Sequence, residues 1–254
     1  MFPINSMKVW SLTDVGLVRK ENQDAYAAEF LEGHTVCVVC DGMGGVSGGL
    51  EASHIAVKTF MTEVKKVLVP EMLPEQLREV SSYAAALANK AIREAASQSV
   101  ERQNMGTTLV SAISYSDGVV ITNVGDSRAY HISQNGIVQI TKDHSLVESL
   151  VDRGDITAEE ARHHPKRNLI TRALGPDVTA NCDGYICPMS TGEYLLLCTD
   201  GLVDTVTDQE IFSEVLHGGD LQDGEMDDCL KRLLEISKSR GASDNITAVL
   251  MRQP

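Results

Sequence analysis

The chain has no run of 18 apolar residues, and its first residues carry no apolar segment behind a basic start. It therefore offers neither a membrane-crossing helix nor a signal peptide, and a cytoplasmic location is expected. Positive charge is scarce: 22 Lys and Arg stand against 36 Asp and Glu, a formal charge of -14. That balance argues against nucleic acid and anionic membrane surfaces as partners. The six cysteines make no ligand or redox pattern. Cys37-x-x-Cys40 falls in an apolar strand, where residues three apart face opposite sides. Cys37, Cys40 and Cys198 read as small, reduced hydrophobes. None of the six has an arginine six positions on, which excludes the phosphate loop of thiol-nucleophile enzymes. No His-x-x-x-His spacing, EF-hand loop or Gly-Lys-Ser/Thr run occurs, so zinc, calcium and P-loop readings lose their support.

What the chain does have is a stretch at residues 35–49, T-V-C-V-V-C-D-G-M-G-G-V-S-G-G. Its first six residues are β-branched and apolar, a buried strand, and the strand is expected to stop at Asp41-Gly42. Asp-Gly alone is a turn signal. The same arrangement recurs at residues 192–201, where G-E-Y-L-L-L-C-T runs into Asp200-Gly201. A carboxylate at the open end of a buried strand is costly unless something positive meets it. Two such strands read as two halves of a metal site.

The 254 residues, 43% hydrophobic, are enough for one large core. Residues 1–6 read as an extension or cloning scar ahead of a second methionine at Met7, and residues 7–254 as a single domain. A strand at 8–18 turns at Gly16. Residues 19–30 run into another strand that turns at Gly33-His34. Helices are expected at 51–69 and 75–100, the first from apolar residues Ile55, Phe60, Val64 and Leu68 at helical spacing. Strands follow from Thr107 in an antiparallel meander, with Asp126 at the tight turn Gly125-Asp126-Ser127 and a hairpin at Asn135-Gly136. Short helices at 145–154 and 157–163 form a polar insertion, the second opened by a Thr157/Glu160 capping box. A strand at 192–199, helices at 208–217 and 227–239 and a last strand at 245–251 complete an α+β domain.

Asp41, Asp126, Asp200 and Asp244 all stand at strand–turn junctions, with Asp24 as a fifth carboxylate in R-K-E-N-Q-D. An all-oxygen set spread along the chain selects Mg²⁺ or Mn²⁺. Two such ions would activate water and clamp a phosphoryl oxygen, and Arg19 nearby would grip a phosphate.

The ordered motifs G-L-V-R-K-E-N-Q-D (16–24), V-C-D-G-M-G-G (39–45), M-G-T-T-L (105–109) and N-V-G-D-S-R-A-Y (123–130) continue through D-H-S-L-V (143–147). H-P-K-R-N-L-I-T-R-A-L-G (164–175), C-T-D-G-L-V-D (198–204) and A-S-D-N-I-T (242–247) follow. On these residues the chain resembles the bacterial metal-dependent type 2C (PPM) serine/threonine protein phosphatases over nearly its whole length. The resemblance implies an α-β-β-α sandwich, two central antiparallel sheets flanked by helix pairs. It implies hydrolysis of phosphoserine and phosphothreonine by a metal-bridging hydroxide, without a phosphoenzyme. By the same resemblance Asp41 bridges two tightly held Mn²⁺ or Mg²⁺ ions and the Gly42 carbonyl ligates one. Asp200 and Asp244 hold the first ion, Asp24 supports the second, and Asp126 shares a third, weaker ion with Asp200. Arg19 grips the substrate phosphate, and residues 147–166 form a flap beside the site. The implied partners are phosphorylated proteins and a cognate serine/threonine kinase, with the enzyme a monomer in bacterial signalling.

Two positions depart from the pattern: Gln23 stands where relatives outside bacteria often have glutamate, and Met43 where they often have histidine. Val46 fills a further place where some bacterial relatives have histidine. Neither Met43 nor Val46 can protonate a leaving alkoxide, so a water held at the third ion is the expected acid. Of the histidines, His54 and His217 read as helix residues, His163 and His164 as flap residues within reach of substrate, and His144 as structural. A catalytically silent phosphoprotein-binding module is the competing reading. Intact Arg19, Asp41, Asp200 and Asp244 speak against it.

Overall fold

The computed structural model describes residues 6–216 and 223–254. The expected extension at 1–6, apart from Ser6, and His217 lie outside the described residues. The chain opens with β1 (Lys8–Asp14), β2 (Asp24–Leu31) and β3 (His34–Met43), then helices α1 (Gly45–Val67) and α2 (Pro74–Ala96). Strands β4 (Gly106–Thr107), β5 (Leu109–Tyr115), β6 (Gly118–Val124), β7 (Arg128–Ser133) and β8 (Gly136–Gln139) follow. Short helices α3 (Leu146–Asp152) and α4 (Ala158–Arg162) precede β9 (Asp183–Pro188) and β10 (Tyr194–Cys198). The chain ends with α5 (Asp200–Val203), α6 (Asp208–Leu216), α7 (Asp223–Ser239) and β11 (Ile246–Arg252).

Two antiparallel sheets result, in orders β1-β11-β10-β7-β8 and β2-β3-β5-β6-β9, with β4 paired to β3. They stack face to face, and the period of two along each strand divides the side chains between layers. On β3, Val36, Val38 and Cys40 pack under α1 and α2, while Cys37 and Val39 meet the other sheet. The two cysteines of the C-x-x-C thus sit in different layers, and all six cysteines are free. On β10 and β11, Leu196, Cys198, Ala248 and Leu250 face α6 and α7, whereas Leu195, Leu197, Val249 and Met251 face the sheet that contains β3. Burial on both faces explains why these strands read as continuous apolar runs rather than alternating ones. Helix α1 contributes Ala52, Ala56, Phe60 and Val64, one residue per turn on a single stripe. Phe60 is fully buried, and its truncation to alanine would cost about 3–5 kcal/mol. This is the α-β-β-α sandwich the resemblance implied.

Several boundaries differ from the sequence reading. Strand β3 does not stop at Asp41-Gly42 but continues to Met43, because Gly42 and Met43 find backbone partners in Thr107 and Gly106. Helix α1 begins at Gly45, not Glu51, so the glycine-rich stretch supplies helix as well as turn. Helix α2 ends at Ala96, and a separate 3-10 turn covers Val100–Arg102. Strand β1 ends at Asp14. Strand β9, whose exposed and buried residues mix within D-G-Y-I-C-P, was not expected at all. The largest correction concerns the meander. Strands β5 and β6 belong to one sheet and β7 and β8 to the other, so the chain changes sheets at Gly125-Asp126-Ser127.

Candidate active site

The open ends of both sheets meet in a cleft of about 540 Å³, lined among others by Arg19, Asp41, Gly42, Met43, Asp126, Asp200 and Asp244. Each carboxylate arrives on a different element. Asp41 comes from β3 and stands directly opposite Asp24 on β2 in the antiparallel register. Residues so placed share a face with Cβ atoms about 5 Å apart, and like charges there repel. Asp200 begins α5 where β10 ends, Asp126 marks the crossing between the sheets, and Asp244 precedes β11. Gly42 is packed so tightly on Gly49 of α1 that a Cβ would lie 2.0 Å from the Gly49 carbonyl oxygen, so no other residue fits.

The carboxylates titrate as a mutually repelling group. Burial, then the charge of Asp200, pushes Asp41 well above the ordinary carboxylate range. Burial and Asp200 do the same to Asp126. Burial raises Asp24 to about 7 against opposing hydrogen bonds from Thr247 and Thr199. Asp200 rises to about 6, by burial and the charges of Asp204 and Asp244, and lies within hydrogen-bonding reach of Asp41. Asp24 is the most enclosed, 5% exposed, and stands behind the cleft wall with Oδ2 accepting from Thr199 Oγ1 at 2.9 Å. Among the described residues, Asp24 Oδ1 and Asp200 Oδ1 are buried without any hydrogen-bond partner. A buried carboxylate oxygen left unpaired is expensive. Two such atoms in one acidic group fit a cation.

The carboxylates are paired off rather than gathered into a cage: among the described residues no three His, Cys, Asp or Glu side chains enclose an ion position as they stand. Asp41 faces Asp200, and Asp244 Oδ2 accepts from Arg19 Nη2 at 2.7 Å. Arg19 is at the rim, about half exposed, and its pairing with Asp244 raises its own pKa. Its loop is pinned by Asn245, which accepts from the Gln23 N–H and donates to the carbonyls of Val15 and Glu21. Gln23 and Met43 line the cleft; the side chain of Val46 lies outside the described residues.

Three contributors went unassigned in the sequence although each lies within or beside a quoted motif. Thr108 accepts the Asp41 N–H on Oγ1 and shares a 2.7 Å hydrogen bond with Ser127, tying Asp41 to the neighbour of Asp126. Thr199 holds Asp24 across the gap between sheets. Asn245 anchors the arginine loop. Their partners are all distant in sequence, so no local signal marks them. His163 is exposed and His164 accepts from the Lys166 N–H, and neither lines the cleft.

A family model described as protein phosphatase 2C matches residues 18–251. The chain belongs to the protein phosphatase 2C family. It is 35% identical over 255 residues to the serine/threonine phosphatase stp of Listeria welshimeri, covering 95% of this chain and 94% of that one. The crystal structure of the serine/threonine phosphatase Stp1 from Staphylococcus aureus is similar at TM-score 0.89 and 34% identity, covering 97% of this chain and 94% of that one. A structure of the catalytic domain of the phosphatase PstP in complex with two manganese ions is similar at TM-score 0.79 and 30% identity, covering 97% of each chain. The protein is thus a metal-dependent serine/threonine protein phosphatase of the bacterial type, acting on phosphoproteins.

Proposed function

We propose that the cleft hydrolyses protein phosphoserine and phosphothreonine by direct attack of water on phosphorus, with no covalent phosphoenzyme. The carrying observation is the convergence of four aspartates, Asp41, Asp126, Asp200 and Asp244, and Arg19 on a single cleft whose described lining contains no Cys, His or Ser. Its one hydroxyl side chain, Thr108, is committed to the Asp41 N–H and Ser127; with the aspartates engaged as cation ligands in this reading, water is the nucleophile.

Asp41, Asp200, Asp244 and the Gly42 carbonyl would hold two divalent cations, Mn²⁺ or Mg²⁺, with Asp24 supporting the second from behind the wall. The manganese-bound relative supports two ions. Such a pair supplies Lewis-acid charge at the phosphoryl oxygens and lowers the pKa of water. Asp126, with Asp200, would hold a third and weaker ion. Arg19 binds the phosphate through donors not used on Asp244, since a guanidinium has five. Met43 supplies no proton, so the departing alkoxide takes one from water on the Asp126 side.

The working unit in this reading is a monomer. The substrates are phosphoproteins, so the opposing activity is a serine/threonine kinase, and the two together make a reversible bacterial signal. The six free thiols agree with a reducing cytoplasm, and no helix among the described residues is long and apolar enough to cross a membrane.

Purified protein should release phosphate from a phosphothreonine peptide with Mn²⁺ or Mg²⁺ and stop in excess EDTA. Acid quenching during turnover of ³²P-labelled substrate should leave no label on the protein. A stoichiometric acyl phosphate would refute direct attack, and undiminished turnover after metal removal would refute the cation site.

A further inference from the structure

The turn that carries Asp126 is held from both sides. On one side Ser127 meets Thr108, as above. On the other, Gly125 N–H donates to His144 Nδ1 at 3.1 Å, and His144 N–H donates to Gly125 O at 2.9 Å. Gly125 has φ +103°, and a Cβ there would lie 2.6 Å from Thr108 Cγ2, so the peptide before Asp126 is wedged as well as hydrogen-bonded. A backbone N–H can only donate, so Nδ1 carries no proton and the neutral ring carries it on Nε2. Nε2 lies 3.1 Å from Asp183 Oδ2, whose other oxygen accepts from Arg172 Nη1 at 2.9 Å. His144 is 6% exposed.

The same residue closes the stem of the insertion containing α3 and α4. His144 O accepts from Thr171 N–H at 2.7 Å, Ser145 pairs with Ile170, and Leu146 N–H donates to Leu169 O at 2.8 Å. Asn168 and Ile170, on the returning side of this stem, line the cleft. One residue therefore joins three things: its side chain meets the Asp126 turn and Asp183 at the start of β9, and its backbone carbonyl closes the flap stem.

We propose that His144 is a positioning residue that sets Asp126 in the cleft and couples its placement to the seating of the flap stem. The proposal rests on the reading of Asp126 as a carboxylate of the weaker cation position. It assigns a role to a histidine that touches neither substrate nor cation. A merely structural histidine would support folding without any particular link to Asp126.

The test is a double-mutant cycle in the full chain between His144→Leu and Asp126→Ala, with His144→Asn and Asp183→Ala alongside. The readouts are calorimetric Mn²⁺ titration, thermal denaturation, and kcat on a phosphothreonine peptide as a function of Mn²⁺. Asp126→Ala should keep the tight ion pair, lose the weak binding event and lower kcat. His144→Leu should keep the tight pair and raise the Mn²⁺ needed for half-maximal kcat by about tenfold, the scale of one hydrogen bond. His144→Asn, whose Oδ1 can take the place of Nδ1 as acceptor, should restore most of the response. The double variant should be no worse than Asp126→Ala alone. If His144→Leu does not fold, Asp183→Ala carries the same test: a smaller shift in the same direction that vanishes on the Asp126→Ala background.

A wild-type metal response in His144→Leu, a loss that adds to that of Asp126→Ala, or an Asn variant as impaired as Leu would overturn the positioning role. An Asp126→Ala protein with unchanged metal binding and kcat would instead remove Asp126 from the site, and the proposal with it. The two failures are distinct.

Discussion

At the scale of single residues, the site is an arrangement of groups each of which is unfavourable alone. Asp24 and Asp41 oppose each other across a strand pair, and buried oxygens of Asp24 and Asp200 have no partner among the described residues. Arg19, at the rim of the cleft, gives one of its donors to Asp244. Arg19→Ala therefore removes the proposed phosphate donor and an internal counter-charge together. Losing a hydrogen bond to a charged group is worth roughly 1.5–3 kcal/mol, so KM for a phosphopeptide should rise at least about tenfold. The change in kcat should be smaller. Steady-state kinetics at saturating Mn²⁺ decide it; an unchanged KM would end the phosphate-binding assignment.

At the scale of elements, the cleft depends on how closely α1 can approach β3. Intrinsic helix propensity favours alanine over glycine by about 1 kcal/mol within a helix, so the glycine at position 49 is costly to α1 by itself. Sterics outweigh this, because a Cβ at Gly49 would lie 2.6 Å from both Gly42 O and Gln23 Oε1. Gly49→Ala should lower the melting temperature despite its better propensity, and should weaken Mn²⁺ binding by displacing Gly42. Calorimetry on the variant checks both, and a stabilised protein with unaltered metal affinity would show the packing to be slack. Thr108 joins elements in a comparable way. Thr108→Val would leave the Asp41 N–H without its acceptor, a loss of about 1–3 kcal/mol. For a chain of this size that corresponds to a fall in melting temperature of about 3–10 °C.

For the whole molecule, the raised carboxylates couple stability to pH and to metal. The folded-state pKa values of Asp24 and Asp200, about 7 and about 6, lie above the ordinary 3.8. The folded state therefore binds more protons than the unfolded one between about pH 4 and 7, and stability falls as pH rises through that window. This contribution is complete below pH 3.8 and is lost above pH 7. A divalent cation replaces those protons, so it should stabilise most where they have left. The rise in melting temperature on adding Mn²⁺, relative to EDTA, should be larger at pH 8 than at pH 5. Taking the difference at each pH cancels the other titrating groups. An equal or larger rise at pH 5 would contradict the linkage.

Much of this protein was legible in order along the chain. Apolar runs ending in Asp-Gly marked β3 and β10, helical spacing marked α1, and quoted motifs carried the family with all five aspartates. Those signals are local: burial selects apolar side chains, turns select Asp and Gly, and an oxygen-only cation site needs carboxylates. What only the tertiary structure decided is non-local. A meander drawn from turn signals cannot show that Gly125-Asp126-Ser127 passes between sheets, because sheet membership depends on which strand a distant β3 or β10 selects as neighbour. Nor can it show that β3 continues to Met43, since the partners of Gly42 and Met43 lie more than sixty residues away. The roles of Thr108, Thr199, Asn245 and His144 belong to the same class. Each is an ordinary polar residue in its own segment, and it acquires a function because folding brings an otherwise unpaired backbone or carboxylate group to its side.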